Sequence, residues 1–229
     1  MNKIGIDIGH NVAYDGRAFS FRDENELNRF VGNLVISKLK NAGFEVVNCT
    51  PIAASSLKDS LSQRCYIANN SNVDSFISIH HNAGCGEGAE ALVYKDGLGS
   101  QVGTTVLSEV QKLGDRNRGI RYRKDLYVLK EHTMMPALLI ECAFVDSRSD
   151  MDRYSNVEIA DTIFRGVFRV FGVSSNKPMN SGNVYYTVQK GNTLWGIAWR
   201  YRIRVKEIAR VNNIQNMDLI YERKSLRVK

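Results

Sequence analysis

Four residues of this chain carry side chains that bind metal or move protons, at places where such groups can act. His10 follows an alternating segment, Lys3 to Ile8 (KIGIDI). His80 ends Ser75 to His80 (SFISIH), and Glu141 ends the apolar run Ala137 to Glu141 (ALLIE). Glu24 opens a helical pattern, one residue after Asp23. Two imidazoles and a carboxylate, with one coordination position left open, are a common catalytic zinc set. Zinc lowers the pKa of water to about 7, and a further carboxylate can take the proton and pass it to a leaving amine. Amide hydrolysis needs both parts. Spacing alone does not fix this set, because no H-E-x-x-H helix joins two ligands in one motif. His81 is the direct rival of His80. Neighbouring strand residues point to opposite faces, so at most one of them serves. His132 reads as a solvent-facing loop residue, and Cys142 as a buried structural thiol rather than a nucleophile.

The elements that must position these groups follow from periodicity. Segments 3–8, 44–49, 75–80, 89–94 and 126–129 read as strands, and 137–141 as a strand buried on both faces. Asp23 with Glu26 three residues on gives a capping-box pattern. Leu27, Phe30, Val31, Leu34, Val35 and Leu39 then predict an amphipathic helix over 24–40, with Glu24 at its first position and its carboxylate pointing outward. Further helices are predicted over 56–69, 99–113 and 156–171. The alternation argues for an α/β fold, a mostly parallel twisted sheet flanked by helices. In open parallel sheets sites form beyond the carboxyl ends of strands, which is where His10, His80 and Glu141 fall.

Residues 174–183 (SSNKPMNSGN) read as a linker. The remaining 184–229 predict a minimal βααβ unit, with strands at 185–188 and 225–228 and helices at 193–202 and 205–212. Charge divides at the same place. Residues 1–173 hold 20 basic and 21 acidic side chains, whereas 184–229 hold 10 basic and 3 acidic. An excess so localised suits an anionic partner surface. With 43% hydrophobic and 24% charged residues the 229-residue chain can build a packed core, which excludes a disordered or fibrous protein. No run reaches the ~20 apolar residues of a membrane span. Asp7 falls where a signal peptide needs its apolar stretch, so synthesis in the cytoplasm without an export signal is expected. Cys49, Cys65, Cys85 and Cys142 form no C-x-x-C pair and read as reduced thiols.

Residues 1–173 resemble the zinc-dependent N-acetylmuramoyl-L-alanine amidases (amidase type 3 family). The resemblance rests on Asp7-Ile8-Gly9-His10 (D-x-G-H), Glu24 to Asn28 (E-x-x-L-N), Ser78 to Ala83 (S-I-H-x-N-A) and Pro136 to Glu141 (P-A-x-L-[IV]-E), with Phe144 following. It implies that His10, Glu24 and His80 bind Zn2+ and that Glu141 is the catalytic carboxylate. It also selects His80 over His81, and Glu24 over Glu26. The C-terminal unit resembles a LysM domain through Tyr186 to Ala198 (Y-x-V-x-x-G-D-T-L-x-x-I-A, with Asn192 for the Asp), Val205 to Ile208, Val211 to Asn213 and Asp218 to Tyr221. That resemblance implies a glycan held by Gly191, Asn192, Thr193 and Leu194 on one loop and Asn216, Met217, Asp218, Leu219 and Ile220 on the other. Trp195 could stack on a sugar, although its helical spacing favours the core.

Together these features predict a peptidoglycan hydrolase. It would cut between N-acetylmuramic acid and L-alanine, with neither nucleic acid nor membrane as partner. A phage endolysin is the expected setting, acting on the wall after release, and a mother-cell autolysin of a sporulating bacterium is the alternative. Two rival classes are a glycan-binding protein with a dead hydrolase domain, and a nucleic-acid binder using Arg200, Arg202, Arg204, Lys206 and Arg210.

Overall fold

The computed structural model describes residues 2–129, 132–172, 184–201, 203 and 205–228. The linker expected at 174–183 lies outside the described residues.

The chain runs β1 (Lys3–Ile8), α1 (Glu24–Asn41), β2 (Glu45–Asn48), α2 (Leu57–Asn70), β3 (Ser75–Asn82), β4 (Ala89–Val93), α3 (Leu98–Lys112) and β5 (Asn117–Tyr122). A 3-10 turn (Tyr127–Leu129), β6 (Ala137–Phe144), α4 (Arg148–Arg153) and α5 (Asn156–Phe171) follow. The sheet order is β2-β1-β3-β6-β4-β5. β2, β1, β3 and β6 are mutually parallel, and β4 pairs antiparallel with β6.

Strand alternation builds three layers. Ile4 and Ile6 of β1, Ile77 and Ile79 of β3, and Leu138 and Ile140 of β6 pack with Val31, Val35, Val106, Ile163 and Val167 from α1, α3 and α5. Phe76 and Leu139 join Cys49, Cys65, Ala68, Val128 and Leu129 on the α2 side. With both faces covered, Ala137 to Ile140 are apolar without a break, as a doubly buried strand must be. The ends of β1, β3 and β6 are in register: Ile8 lies beside Ile79, and His80 beside Glu141.

The structure departs from expectation in a few places. Segment 126–129 turns into a 3-10 helix rather than a strand. The sheet instead gains β5, an edge strand whose register against β4 shifts between Ala89 and Ala91. Gly119 sits there at φ +84, the left-handed conformation that a bulge asks of glycine. The Asp23 side chain does cap α1, but it accepts from the N–H of Asn25 rather than that of Glu26.

The C-terminal unit comprises β7 (Tyr185–Thr187), α6 (Leu194–Tyr201), α7 (Val205–Val211) and β8 (Ser225–Arg227), with β7 and β8 antiparallel. Val188, Leu194, Ile197, Ala198, Ile208, Leu226 and Val228 give it a core of its own. Among the described residues no helix is long and apolar enough to cross a membrane.

Candidate metal centre and glycan loops

His10, Glu24 and His80 converge at the carboxyl ends of β1 and β3. Their ligand atoms lie within 4.8 Å of one another. His10 Nε2 stands 3.1 Å from Glu24 Oε1, and His80 Nδ1 stands 3.2 Å from the same oxygen. The two imidazoles meet edge to face, with centroids 4.7 Å apart. Gly9 makes room for this: a Cβ there would lie 2.4 Å from the His80 ring.

Glu24 is 3% exposed and turns inward, not outward as its position at the helix start suggested. Its Oε2 accepts from the N–H of Ala18, and Oε1 from that of His81. Burial opposes its charge, but the hydrogen bonds from His10 and His80 outweigh that and hold its carboxyl well below the usual range. Burial likewise pulls His10 down, while Asp15 and Glu24 together raise it to about 9. Beside the Glu24 carboxylate His10 thus retains a proton, which a divalent cation would replace. Two nitrogen donors and one oxygen whose atoms lie within 4.8 Å of one another are a donor set that suits zinc.

The first histidine is held from behind. Its Nδ1 lies 2.9 Å from Asp15 Oδ1, which leaves Nε2 facing Glu24. Ser60 donates to Asp15 Oδ2 at 2.8 Å, and Arg64 at 3.0 Å. Arg64 is 1% exposed, and it also donates to Asp7 and to the carbonyls of Ile8 and His10. Asp7 in turn accepts from Ser78 at 2.6 Å. Three non-glycine residues of this loop, His10, Asn11 and Tyr14, adopt positive φ. Such backbone persists only where the surroundings over-determine it, and the Arg64 clamp does that here. Periodicity does not reveal this group; its one trace is a lone Arg on the buried side of α2, between Leu61 and Cys65.

Glu141 lies beside His80 across the β3–β6 pairing. Its Oε2 is buried and has no hydrogen-bond partner among the described residues. Burial pushes its carboxyl up to about 7, reinforced by the negative charges of Glu24 and Glu90 and opposed by His80. A carboxyl balanced between charged and neutral can both take and return a proton near neutral pH.

The rivals have structural roles. His81 points to the opposite face, where its ring nitrogens lie 2.7 Å from Asn28 Oδ1 and 2.6 Å from the Tyr154 hydroxyl. Burial drives it down to about 3, so it is a neutral core histidine. His132 is exposed and stacks on Tyr127 at 4.1 Å. Burial raises the Cys142 thiol far above its usual range, which suits a structural residue. The four cysteines are free thiols, three of them buried.

In the C-terminal unit Gly191 turns at φ +81. Asn192 Oδ1 accepts from the Tyr186 hydroxyl at 2.7 Å and from the N–H of Gln189 at 2.9 Å. Thr193 Oγ1 accepts from the N–H of Gly196 in the first turn of α6. The Leu194 side chain is taken up by the core and leaves only its backbone for a ligand. Asn216 accepts from the N–H of Asp218, Met217 and Ile220 pack on the core, and Leu219 is half exposed. Trp195 packs on both the small core and the sheet domain, with its ring edge-on to Phe168 at 5.8 Å.

The family model for N-acetylmuramoyl-L-alanine amidases matches residues 4–169, and the LysM domain model matches 186–229. N-acetylmuramoyl-L-alanine amidase CwlM of Bacillus licheniformis is 34% identical over 184 residues, 77% of this chain and 71% of the relative. The sporulation-specific N-acetylmuramoyl-L-alanine amidase of Bacillus subtilis is 32% identical over 195 residues, covering 83% and 75%. Among solved structures, the catalytic domain of CwlV from Bacillus (Paenibacillus) polymyxa var. colistinus superposes with a TM-score of 0.64 at 26% identity, covering 76% of this chain and all of that one. A sheet domain of this topology with relatives that are amidases, joined to a wall-binding unit, leads to one assignment: the chain belongs to the N-acetylmuramoyl-L-alanine amidase family, acts on peptidoglycan and carries a C-terminal LysM domain.

Proposed function

We propose that the chain is a zinc-dependent amidase in which His10 Nε2, Glu24 and His80 Nδ1 hold the metal and Glu141 is the catalytic carboxylate. The observation that carries this reading is the convergence of three donor atoms within 4.8 Å beside a buried, unpartnered Glu141 oxygen. Zinc bound there supplies the Lewis acidity that makes water nucleophilic near neutral pH. Glu141 takes the proton of the attacking water and delivers it to the amine of L-alanine as the bond to the lactyl carbonyl breaks. Asp15 fixes the His10 tautomer, and the buried Glu24 carries the negative charge that offsets the cation. Residues 1–173 form the catalytic part, and 184–229 hold the enzyme on the glycan, with 174–183 between them.

The setting we favour is host lysis by a phage endolysin. The 32% identity to a sporulation-specific amidase favours a second setting, mother-cell lysis by an autolysin. Deleting the gene separates them: the first setting predicts phage that replicate without bursting the cell, and the second predicts mature spores retained in the mother cell.

Chelation should abolish turnover of a soluble muropeptide, and zinc should restore it. Glu141→Gln should keep zinc at one per chain and lower kcat by at least a hundredfold, since an amide cannot take the proton. Near-normal turnover in that variant would remove Glu141 from the chemistry.

A further inference from the structure

The loops expected to hold glycan do not face open solvent on every side. Gly191, Asn192, Thr193, Met217 and Asp218 line a cleft of about 450 Å³ whose other wall belongs to the amidase. That wall is built from Leu34, Ser37, Lys38 and Asn41 at the far end of α1, and Asp161, Phe164 and Arg165 of α5. The two walls are tied at the edge, where Arg165 Nη2 donates to Asp218 Oδ1 at 2.9 Å. Behind the cleft, Trp195 joins the two cores.

The lining has the character of a sugar site. Tyr186 and Trp195, both partly exposed, supply ring surface for the apolar faces of a pyranose. Planar and charged groups lie among them: a Lys38–Asp161 pair at 2.7 Å across α1 and α5, Asn41, Asn192 and Arg200. The Trp195 indole N–H is buried and has no partner among the described residues. A buried donor without a partner is costly. The volume falls within the range of small-ligand pockets, so the cleft is large enough to admit a ligand rather than merely to seal the loops.

We propose that this cleft is one composite site for an oligosaccharide of acetamido sugars, in which the amidase forms the wall opposite the LysM loops. This rests on the LysM reading given above and deepens it. Glycan binding and catalysis then share one rigid element: Ser37 lies about 20 Å along α1 from Glu24, at 1.5 Å per residue. The glycan would be held at one end of α1 and its stem peptide cut away at the other.

The test uses the full chain, with the tetramer of N-acetylglucosamine as probe and calorimetry as readout. Ser37→Trp places a large ring in the cleft from an exposed position on the amidase, and Lys38→Ala removes one polar group from that wall. Both should weaken tetramer binding, the first by at least tenfold. Cleavage of a soluble muropeptide too short to reach the cleft should stay at the wild-type rate, which also shows that the variants fold. Wild-type affinity in both variants would overturn the proposal and leave the LysM loops as a site that works alone. Tighter binding in both would overturn it too, by showing that the amidase face covers the loops. No binding by the wild-type chain would remove the LysM reading itself, and this proposal with it.

Discussion

Asp15 shows how much of the proposed metal centre lies behind the residues proposed as its ligands. Its carboxylate joins His10 to Ser60 and Arg64. Burial opposes its charge, but His10, Ser60 and Arg64 overcome that and lower its carboxyl to about 2. Asp15→Asn keeps the size and removes the charge that orients His10 and balances Arg64. Zinc affinity should fall about 10–100-fold, read by competition with a chromophoric chelator, while the circular dichroism spectrum stays unchanged. Unaltered affinity would mean that the backbone of the loop alone places His10. Of the proposed ligands, His10 and His80 are legible from sequence because strand ends mark them. Asp15 is not, because it reaches His10 through a loop of left-handed residues that no periodicity announces. The inward turn of Glu24 is hidden for a related reason: helix position gives its place in the chain, whereas its burial depends on the Ala18 and His81 backbone that surrounds it.

Among the helices, α3 and α5 pack closely. A Cβ on Gly166 would lie 2.3 Å from Val106 Cγ2, so the helices touch almost backbone to side chain. Glu109 of α3, 4% exposed, anchors the same contact through Arg169 at 2.8 Å and Arg165 at 3.5 Å, with Lys112 beside it. Burial works against its charge, and the hydrogen bond with Lys112 and the charges of Arg169, Lys112 and Arg165 prevail, so its carboxyl is depressed. A depressed carboxyl contributes stability that is present above its unfolded pKa and lost as pH falls through the folded one. Glu109→Gln should therefore lower stability by about 1–2 kcal/mol at pH 7. The gap from wild type should close in acid, as followed by thermal unfolding between pH 7 and pH 3. A gap that stays constant with pH would assign the loss to packing rather than to charge. These helices were plain in the sequence, and α5 matches its expected span of 156–171, because a wide apolar stripe repeats along it. β5 was not, since Asn117, Arg118, Gly119 and Arg121 give an edge strand without an apolar face and with a glycine bulge inside.

For the whole molecule, the uneven distribution of charge sets the way it meets a wall. Residues 1–173 are close to neutral, with 20 basic against 21 acidic side chains, whereas 184–229 carry 10 against 3. Many amidase charges are already paired within the domain, such as Arg118 with Glu90 and Arg153 with Asp115. The excess on the LysM unit is what remains to attract an anionic wall polymer. Exposed charges are screened over about 10 Å at 0.1 M salt, while contacts between a sugar and the cleft are short-range and feel salt little. Adsorption of the full chain to intact walls should thus weaken as salt rises and then level off at a plateau set by glycan recognition. Turnover of a soluble muropeptide should hardly change over the same series, because the proposed metal site lies about 20 Å along α1 from the cleft. Walls stripped of teichoic acid should show the plateau at every salt concentration. A pull-down across the salt series on both kinds of wall separates the two contributions. Adsorption to intact walls that ignores salt would mean that the charge of the LysM unit serves something other than attachment.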